Sequence, residues 1–326
     1  MLYPLRFHPR YFDKVWGGRK LETILGRALP PDAPIGESWE ISDHPHGCSV
    51  VANGPHTDQT LHEMIVRYGA ELLGERVCAI HGNFFPLLVK YIDAREMLSV
   101  QVHPDDAAAD THKGEAGKTE MWYVLNADPD SCLIAGLNPG VTAAQFRAAL
   151  AQGDPGNLLH HLPVHTGDSL FIPAGRIHAI MPGLLILEIQ QNSDTTYRLY
   201  DWGRLGLDGQ RRELHITQAM AVANWSDYPP LAGVEPPERE ANNCKTILAA
   251  CPYFVVEKYD LRQERSWRTD GDSFRLLNCV SGRGVLTWAG GQEIICFGDS
   301  LLLPACITNF SIQPYGAVSI VISYVP

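Results

Sequence analysis

The sequence predicts a mainly β protein built as two related sandwich- or barrel-like units with a few peripheral helices. Short apolar or alternating runs such as PLLVKYID, MWYVLN, DSLFIP, LLILEIQ, YFVVEKYD and DSLLLP recur along the 326 residues, separated by Gly, Pro, Asn and Asp. A segment also repeats: residues 167–178 read GDSLFIPAGRIH and residues 298–309 read GDSLLLPACITN, with Gly, Asp, Ser, Leu, Pro and Ala at the same spacing. Helical periodicity is confined to Leu61–Leu73, Ala143–Gln152, where Thr142 is placed to cap, and His215–Val222.

Composition narrows the function. An apolar content of 45% supports real cores, and a formal charge of −11 argues against nucleic acid as a partner, which would need clustered Lys and Arg. An anionic substrate would need local positive residues to overcome that field. The start, MLYPLRFHPRYFDKVW, lacks a cationic lead followed by an apolar core, and no run approaches 18 apolar residues, so neither export nor a membrane is expected and the cytoplasm is. The eight cysteines include no C-x-x-C pair and sit mostly among apolar neighbours, the pattern of reduced, buried thiols. The proline- and charge-rich stretch Asp227–Glu240 lacks periodicity and marks a boundary, giving domains of 1–235 and 236–326.

Three stretches carry chemistry. In LSVQVHPDD the period of two places Leu98, Val100 and Val102 on one face and Ser99, Gln101 and His103 on the other. GKTEMWYVL brings Lys118 and Glu120 to one face of the next candidate strand. The first copy of the repeat has the form G-x5-P-x-G-x2-H, from Gly167 through Pro173 and Gly175 to His178.

This last spacing resembles the second motif of the cupin superfamily, except that Pro182 stands where that motif ends in Asn; Gln101-x-His103 followed by Glu120 is similar to the first. The resemblance implies jelly-roll barrels with ligands pointing inward. Gln101, His103, Glu120 and His178 would offer two nitrogens and two oxygens, a set suited to a borderline divalent ion such as Zn²⁺. FHPRYFDKVWGG, GESWEISDHP, FPLLVKYIDA, LSVQVHPDD, GKTEMWYVL and LEIQQNSDTTYRLYDWGR together resemble the short bacterial type I mannose-6-phosphate isomerases, from about residue 7 to 204.

That family likeness implies one zinc per chain on those four ligands and a zinc-dependent aldose–ketose isomerisation between mannose 6-phosphate and fructose 6-phosphate through a cis-enediol. It also implies a sugar phosphate as the small-molecule partner and Arg198 in the pocket, with Lys118, Trp16, Ser99 and Glu188 in matching blocks. The chemistry gives these residues work: a metal and a cation, Arg198, stabilise developing negative charge, and Lys118 binds substrate oxygens or is a solvated strand-end lysine. Glu188, a carboxylate among apolar residues, is either the proton-transfer base or a structural partner of Arg198. The sequence leaves the oligomeric state open.

Two other readings compete: an iron-dependent cupin oxygenase, disfavoured by Gln101 in place of a first His, and a non-catalytic or regulatory sugar-phosphate-binding cupin, disfavoured by the intact ligand set and Arg198. The second repeat aligns Cys306 with Gly175, Asn309 with His178 and Arg275 with Glu120, so the C-terminal domain is expected to be a degenerate cupin-like barrel without a metal. His44 and His46, flanking Pro45, read as a surface turn, and His160 and His161 as structural.

Overall fold

The computed structural model describes residues 2–109, 116–227 and 237–326. It is mainly β, and it divides into two compact units: Tyr11–Ser38 with Val89–Gly233, and Met1–Arg10 with Trp39–Leu88 and Val234–Pro326. No helix among the described residues is long and apolar enough to cross a membrane.

The first unit is built on two sheets. One has the order Leu159–Pro163, Cys132–Leu137, His178–Ile180, Val100–Val102, Tyr197–Tyr200; the other runs Ser169–Ile172, Glu120–Ala127, Leu184–Gln191, Leu87–Ala94, Arg10–Gly18, Ile35–Ile41. Leu98, Leu133 and Ile180 from the first interdigitate with Trp16, Ile92, Trp122, Val124, Ile172 and Ile186 from the second in one buried cluster. The five-stranded sheet is apolar on its outer face too. There Val100, Val102, Ile134 and Ala179 pack under Phe146 of the helix Ala143–Gln152 and Ala219 of the helix Ile216–Val222. The first of these helices opens on the expected cap, as Thr142 accepts from the Gln145 amide and Gln145 Oε1 accepts from the Thr142 amide at 2.8 Å. With its apolar side covered by helices, the strand Val100–Val102 is free to turn its polar side inward. Leu98 departs from the expected face: it precedes the regular strand and packs in the inner cluster.

The second unit has an eight-stranded sheet whose path runs Glu238–Glu240, Asn243–Ala250, Val255–Leu261, Asn309–Tyr324, Arg275–Trp288, Gly291–Cys296, with Arg265–Arg268 and Ser300–Leu303 attached. Its core gathers Leu277, Leu286, Leu301, Ile312, Ile320 and their neighbours. The repeat is realised as an identical register in both units. Ser169 to Ile172 pair with Tyr123 to Glu120, and Ser300 to Leu303 pair with Asn278 to Arg275. Asp168 Oδ2 accepts the His165 amide at 2.7 Å, and Asp299 Oδ2 accepts the Cys296 amide at 2.8 Å.

Several expectations need correction. A single cut at 235/236, which itself lies outside the described residues, does not reproduce the compact units, because residues 39–88 and the N-terminal segment bond to C-terminal strands: Leu5 pairs with Leu302, and the Leu72 and Leu73 carbonyls accept the Ala305 and Phe274 amides at 3.0 Å. The helix expected over Leu61–Leu73 breaks at Gly69 into Leu61–Tyr68 and Ala70–Leu73, and further helices cover Glu75–His81 and Lys20–Thr23. All eight cysteines are free, yet only Cys279 is buried, and Cys296 and Cys306 are exposed. His44 sits in the expected hairpin turn but is buried, edge-on to Trp39.

Gly74 ends the helix Ala70–Leu73 at φ +99°, and an added Cβ would lie 2.2 Å from the Asp272 carbonyl oxygen, whereas Gly69, at φ +46°, faces open space. Gly69→Ala should cost about 1–2 kcal/mol for its backbone conformation alone, and Gly74→Ala at least about 3 kcal/mol because strain and clash combine. Chemical denaturation of the two variants checks this; equal losses would contradict the packing of Gly74 on Asp272.

Candidate active site

Backbone register assembles the site. Gln101 is the cross-strand partner of His178 on one side and of Arg198 on the other, so these three side chains form a row on the inner face of the five-stranded sheet. Glu120 begins the strand Glu120–Ala127 of the facing sheet, and His103 follows the strand Val100–Val102 by one residue. The ligand atoms of His103, Glu120 and His178 all lie within 4.8 Å of one another, and all three residues are buried. His103 Nε2 is 3.1 Å from Glu120 Oε1, His178 Nε2 is 3.9 Å from Glu120 Oε2, and the Gln101 amide is 3.3 Å from His178 Nε2. Two ligands of one tetrahedral zinc, each about 2.0–2.1 Å from the ion, stand roughly 3.3 Å apart.

Both imidazoles are oriented by backbone. His103 Nδ1 lies 2.8 Å from the Thr195 carbonyl and His178 Nδ1 lies 2.8 Å from the Arg176 carbonyl, so each Nδ1 carries the proton and each Nε2 lone pair faces the cluster. Burial and the positive charge of Lys118 lower both pKa values, that of His178, which also feels His103, to about 3, and keep the rings neutral. For Glu120 burial alone would favour the acid, but the charge of Lys118 overcomes it and holds the carboxylate ionised. Neither Glu120 oxygen accepts a hydrogen bond from the described residues, although Oε1 is ion-paired with Lys118 Nζ at 2.5 Å. A buried, ionised carboxylate with open lone pairs between two neutral imidazoles is the donor set a divalent cation requires. Gln101 can present its carbonyl oxygen there, since exchanging amide O and N leaves the side chain's shape unchanged.

A cavity of about 280 Å³, near the small end of ligand pockets, opens beside the cluster. Trp16, Ile92, Leu98, Trp122 and Ile180 make its apolar wall, and Ser99, Gln101 and Thr196 add neutral polar groups. Trp16 lies flat because Gly36 has no side chain; a Cβ there would sit 2.6 Å from the indole ring. Five basic residues, Lys14, Lys90, Lys118, Arg198 and Arg212, face three carboxylates, Glu37, Asp194 and Glu188. Within a chain of net charge −11, this cavity is locally positive.

Every residue expected in the site lies in the first unit, at the cluster or lining the cavity. Glu188 is not a partner of Arg198. Its Oε2 accepts Trp122 Nε1 at 2.9 Å, and its Oε1 is ion-paired with Lys90 Nζ at 3.0 Å. Burial and the charge of Glu120 push its pKa up against the pull of Lys90. Arg198 instead donates from Nε to Ser99 Oγ at 3.3 Å and from Nη1 to the Glu213 carbonyl at 2.8 Å. Lys118 is buried rather than solvated. Sequence reasoning missed Lys14, Glu37, Lys90, Asp194, Thr196 and Arg212. Lys90 carried a signal, since it interrupts an apolar run that proves buried from Leu87 to Ala94.

Comparison with known proteins gives a consistent picture. The family description "Phosphomannose isomerase type I, catalytic domain" matches residues 5–132, and "Mannose-6-phosphate isomerase, cupin domain" matches residues 243–325. The chain is 38% identical to the probable mannose-6-phosphate isomerase GmuF of Bacillus subtilis, over 96% of this chain and 97% of that one. It is 37% identical to the mannose-6-phosphate isomerase of Streptococcus mutans, over 99% of each. Among solved structures, the mannose 6-phosphate isomerase from Bacillus subtilis superposes with a TM-score of 0.89 at 33% identity, covering 99% of both chains.

The buried pair of Lys90 and Glu188 generates a prediction about stability. Glu188→Gln removes the charge that stands 3.0 Å from the Lys90 ammonium, closer than Glu37 at 3.9 Å, and should cost about 3 kcal/mol. Adding Lys90→Met should recover part of that loss. Denaturation of the single and double variants checks this coupling; strictly additive losses would show that the pair is not an energetic unit.

Proposed function

Because this chain belongs to the type I mannose-6-phosphate isomerases, we propose that it interconverts mannose 6-phosphate and fructose 6-phosphate at one divalent metal, Zn²⁺, held by Gln101, His103, Glu120 and His178. The observation that carries this is the buried Glu120 carboxylate, free of hydrogen bonds, facing two imidazoles whose Nε2 atoms are turned toward it. The bound metal supplies a Lewis acid that polarises the sugar carbonyl.

The chain's own residues do the rest. Aldose–ketose conversion moves a proton between C1 and C2 and passes through a cis-enediol whose oxygens carry negative charge. Arg198, fixed by Ser99 and the Glu213 carbonyl, presents a preorganised cation to that charge. Lys118, buried at the edge of the cluster, binds a neighbouring substrate oxygen. Glu188 takes and returns the proton: it lines the cavity, and burial moves its pKa toward the working pH. Trp16 and Trp122 shape the apolar wall beside the sugar and limit water at the reacting carbons.

A coupled assay of mannose 6-phosphate conversion tests this reading. Chelator treatment should abolish turnover and added Zn²⁺ should restore it; chelator-resistant turnover by metal-free protein would reject the assignment. His103→Ala and His178→Ala should lose metal and activity together, as read by elemental analysis. Arg198→Ala should retain its metal and its thermal transition while kcat falls on the order of 10²-fold or more; a change confined to KM would make Arg198 a substrate anchor only.

A further inference from the structure

The turn that delivers His178 touches the backbone or a neighbour of each charged or imidazole group in the cluster. Between the strands Ser169–Ile172 and His178–Ile180, the Ala174 amide donates to Oγ1 of Thr119, next to Glu120, at 3.4 Å. The Gly175 amide donates to the His103 carbonyl at 2.9 Å, and the Arg176 carbonyl lies 2.8 Å from His178 Nδ1. A shift of this turn would carry the His178 imidazole with it.

Residues that follow the helix Ile216–Val222 hold the turn from its other side. The Asn224 amide donates to the Gly175 carbonyl at 2.8 Å, and a Cβ on Gly175, at φ +86°, would stand 3.2 Å from the Val222 carbonyl oxygen. The Arg176 side chain completes the attachment. It is buried, and its Nε and Nη2 donate to Asp227 Oδ2 and Oδ1 at 2.5 and 2.8 Å while Nη1 donates to the Phe171 carbonyl at 2.9 Å. Phe171 stands one residue before Ile172, the cross-strand partner of Glu120. Every arm of this guanidinium is spent inside the protein, and neither Arg176 nor Asp227 lines the cavity.

The second copy of the repeat separates building the turn from aiming it. There Ile307 occupies the position of Arg176, and Asn309 that of His178. The turn closes all the same: the Ile307 amide donates to the Pro304 carbonyl at 2.9 Å, as the Arg176 amide donates to the Pro173 carbonyl at 3.2 Å. A buried arginine is therefore not needed to form the turn, and it stands in the copy that carries a ligand. Isoleucine fills space without direction, whereas a guanidinium forked on a carboxylate fixes an angle as well as a distance. A metal ligand depends on such a shell to hold it in place.

We propose that Arg176 and Asp227 are positioning residues for the metal centre: the buried pair fixes the turn that aims His178 and thereby sets how tightly the site retains its ion. This inference rests on the metal reading above and is independent of which sugar is converted.

The test titrates metal-free protein with Zn²⁺ against a chromophoric chelator and reads Kd, beside the thermal transition of the metal-free form. Arg176→Met should weaken Zn²⁺ binding about tenfold or more. The double variant Arg176→Met/Asp227→Leu removes both buried charges, so its thermal transition should return toward that of wild type, while Kd stays about tenfold weakened because the directional grip is gone. The ligand-field bands of the Co²⁺-loaded double variant should shift, as a merely structural role would not require. Arg176→Lys, which keeps an ion pair and gives up the fork, should lose about fivefold in affinity and carries the test if the double variant fails to fold. A Kd within about twofold of wild type in the folded double variant, or in the Lys variant when it stands in, would overturn the proposal, as would recovery of affinity together with stability in the double variant. Wild-type protein that binds no Zn²⁺ would instead reject the metal reading itself, and this proposal with it.

Discussion

The catalytic unit depends on the pairing of His178 and Arg198 on either side of Gln101. Because side chains directly opposite in an antiparallel ladder project to the same face, this register alone puts two candidate metal ligands and a cation in a row. A slip of one residue would send all three outward into the apolar layer beneath the helices Ala143–Gln152 and Ile216–Val222. The register is therefore guarded by hydrophobic burial on the outer face, where Val100 and Val102 are fully covered. The helices that looked peripheral in the sequence are what permit a barrel strand to be polar inside.

Burying this much charge is possible because the charges interleave. Lys14, Glu37, Lys90 and Glu188 alternate in sign, as do Lys118 and Glu120, so each buried ion has an opposite neighbour within about 4 Å. An acidic protein can thereby present a positive cavity: the surface carries the net negative charge, and the interior arranges its cations where water does not screen them.

Much of the site was legible in the sequence because motif spacing is local. Gln101 and His103 are two residues apart on one strand, Lys118 and Glu120 likewise, and the turn before Ser169 fixes where His178 emerges. What could not be read depends on pairing between distant segments. The partner of Glu188 is Lys90, nearly a hundred positions earlier, and the partner of Arg212 is Asp201 across an irregular loop. The compact units follow the same rule: nothing in the periodicity of residues 39–88 announces that the Leu72 and Leu73 carbonyls accept the Ala305 and Phe274 amides near the far end of the sequence. Leu98 was misplaced because strict alternation was extended one step beyond the strand that obeys it.

The duplicated strand–turn–strand supplies a comparison within one molecule. Leu303 pairs with Arg275 as Ile172 pairs with Glu120, and Asp299 closes its turn as Asp168 does. Yet where the first copy gathers an ionised carboxylate beside two imidazoles, the second lays the Arg275 guanidinium over the Tyr324 ring, 4.1 Å from its centroid. One architecture has been filled twice, once with a carboxylate between two imidazoles and once with an arginine stacked on an aromatic ring. The ladder and turn therefore do not depend on the side chains they enclose, and those residues are free to differ without dissolving the scaffold that aims them. One molecule thus displays the same ladder around two unlike interiors, and the backbone is indifferent to which of them it encloses.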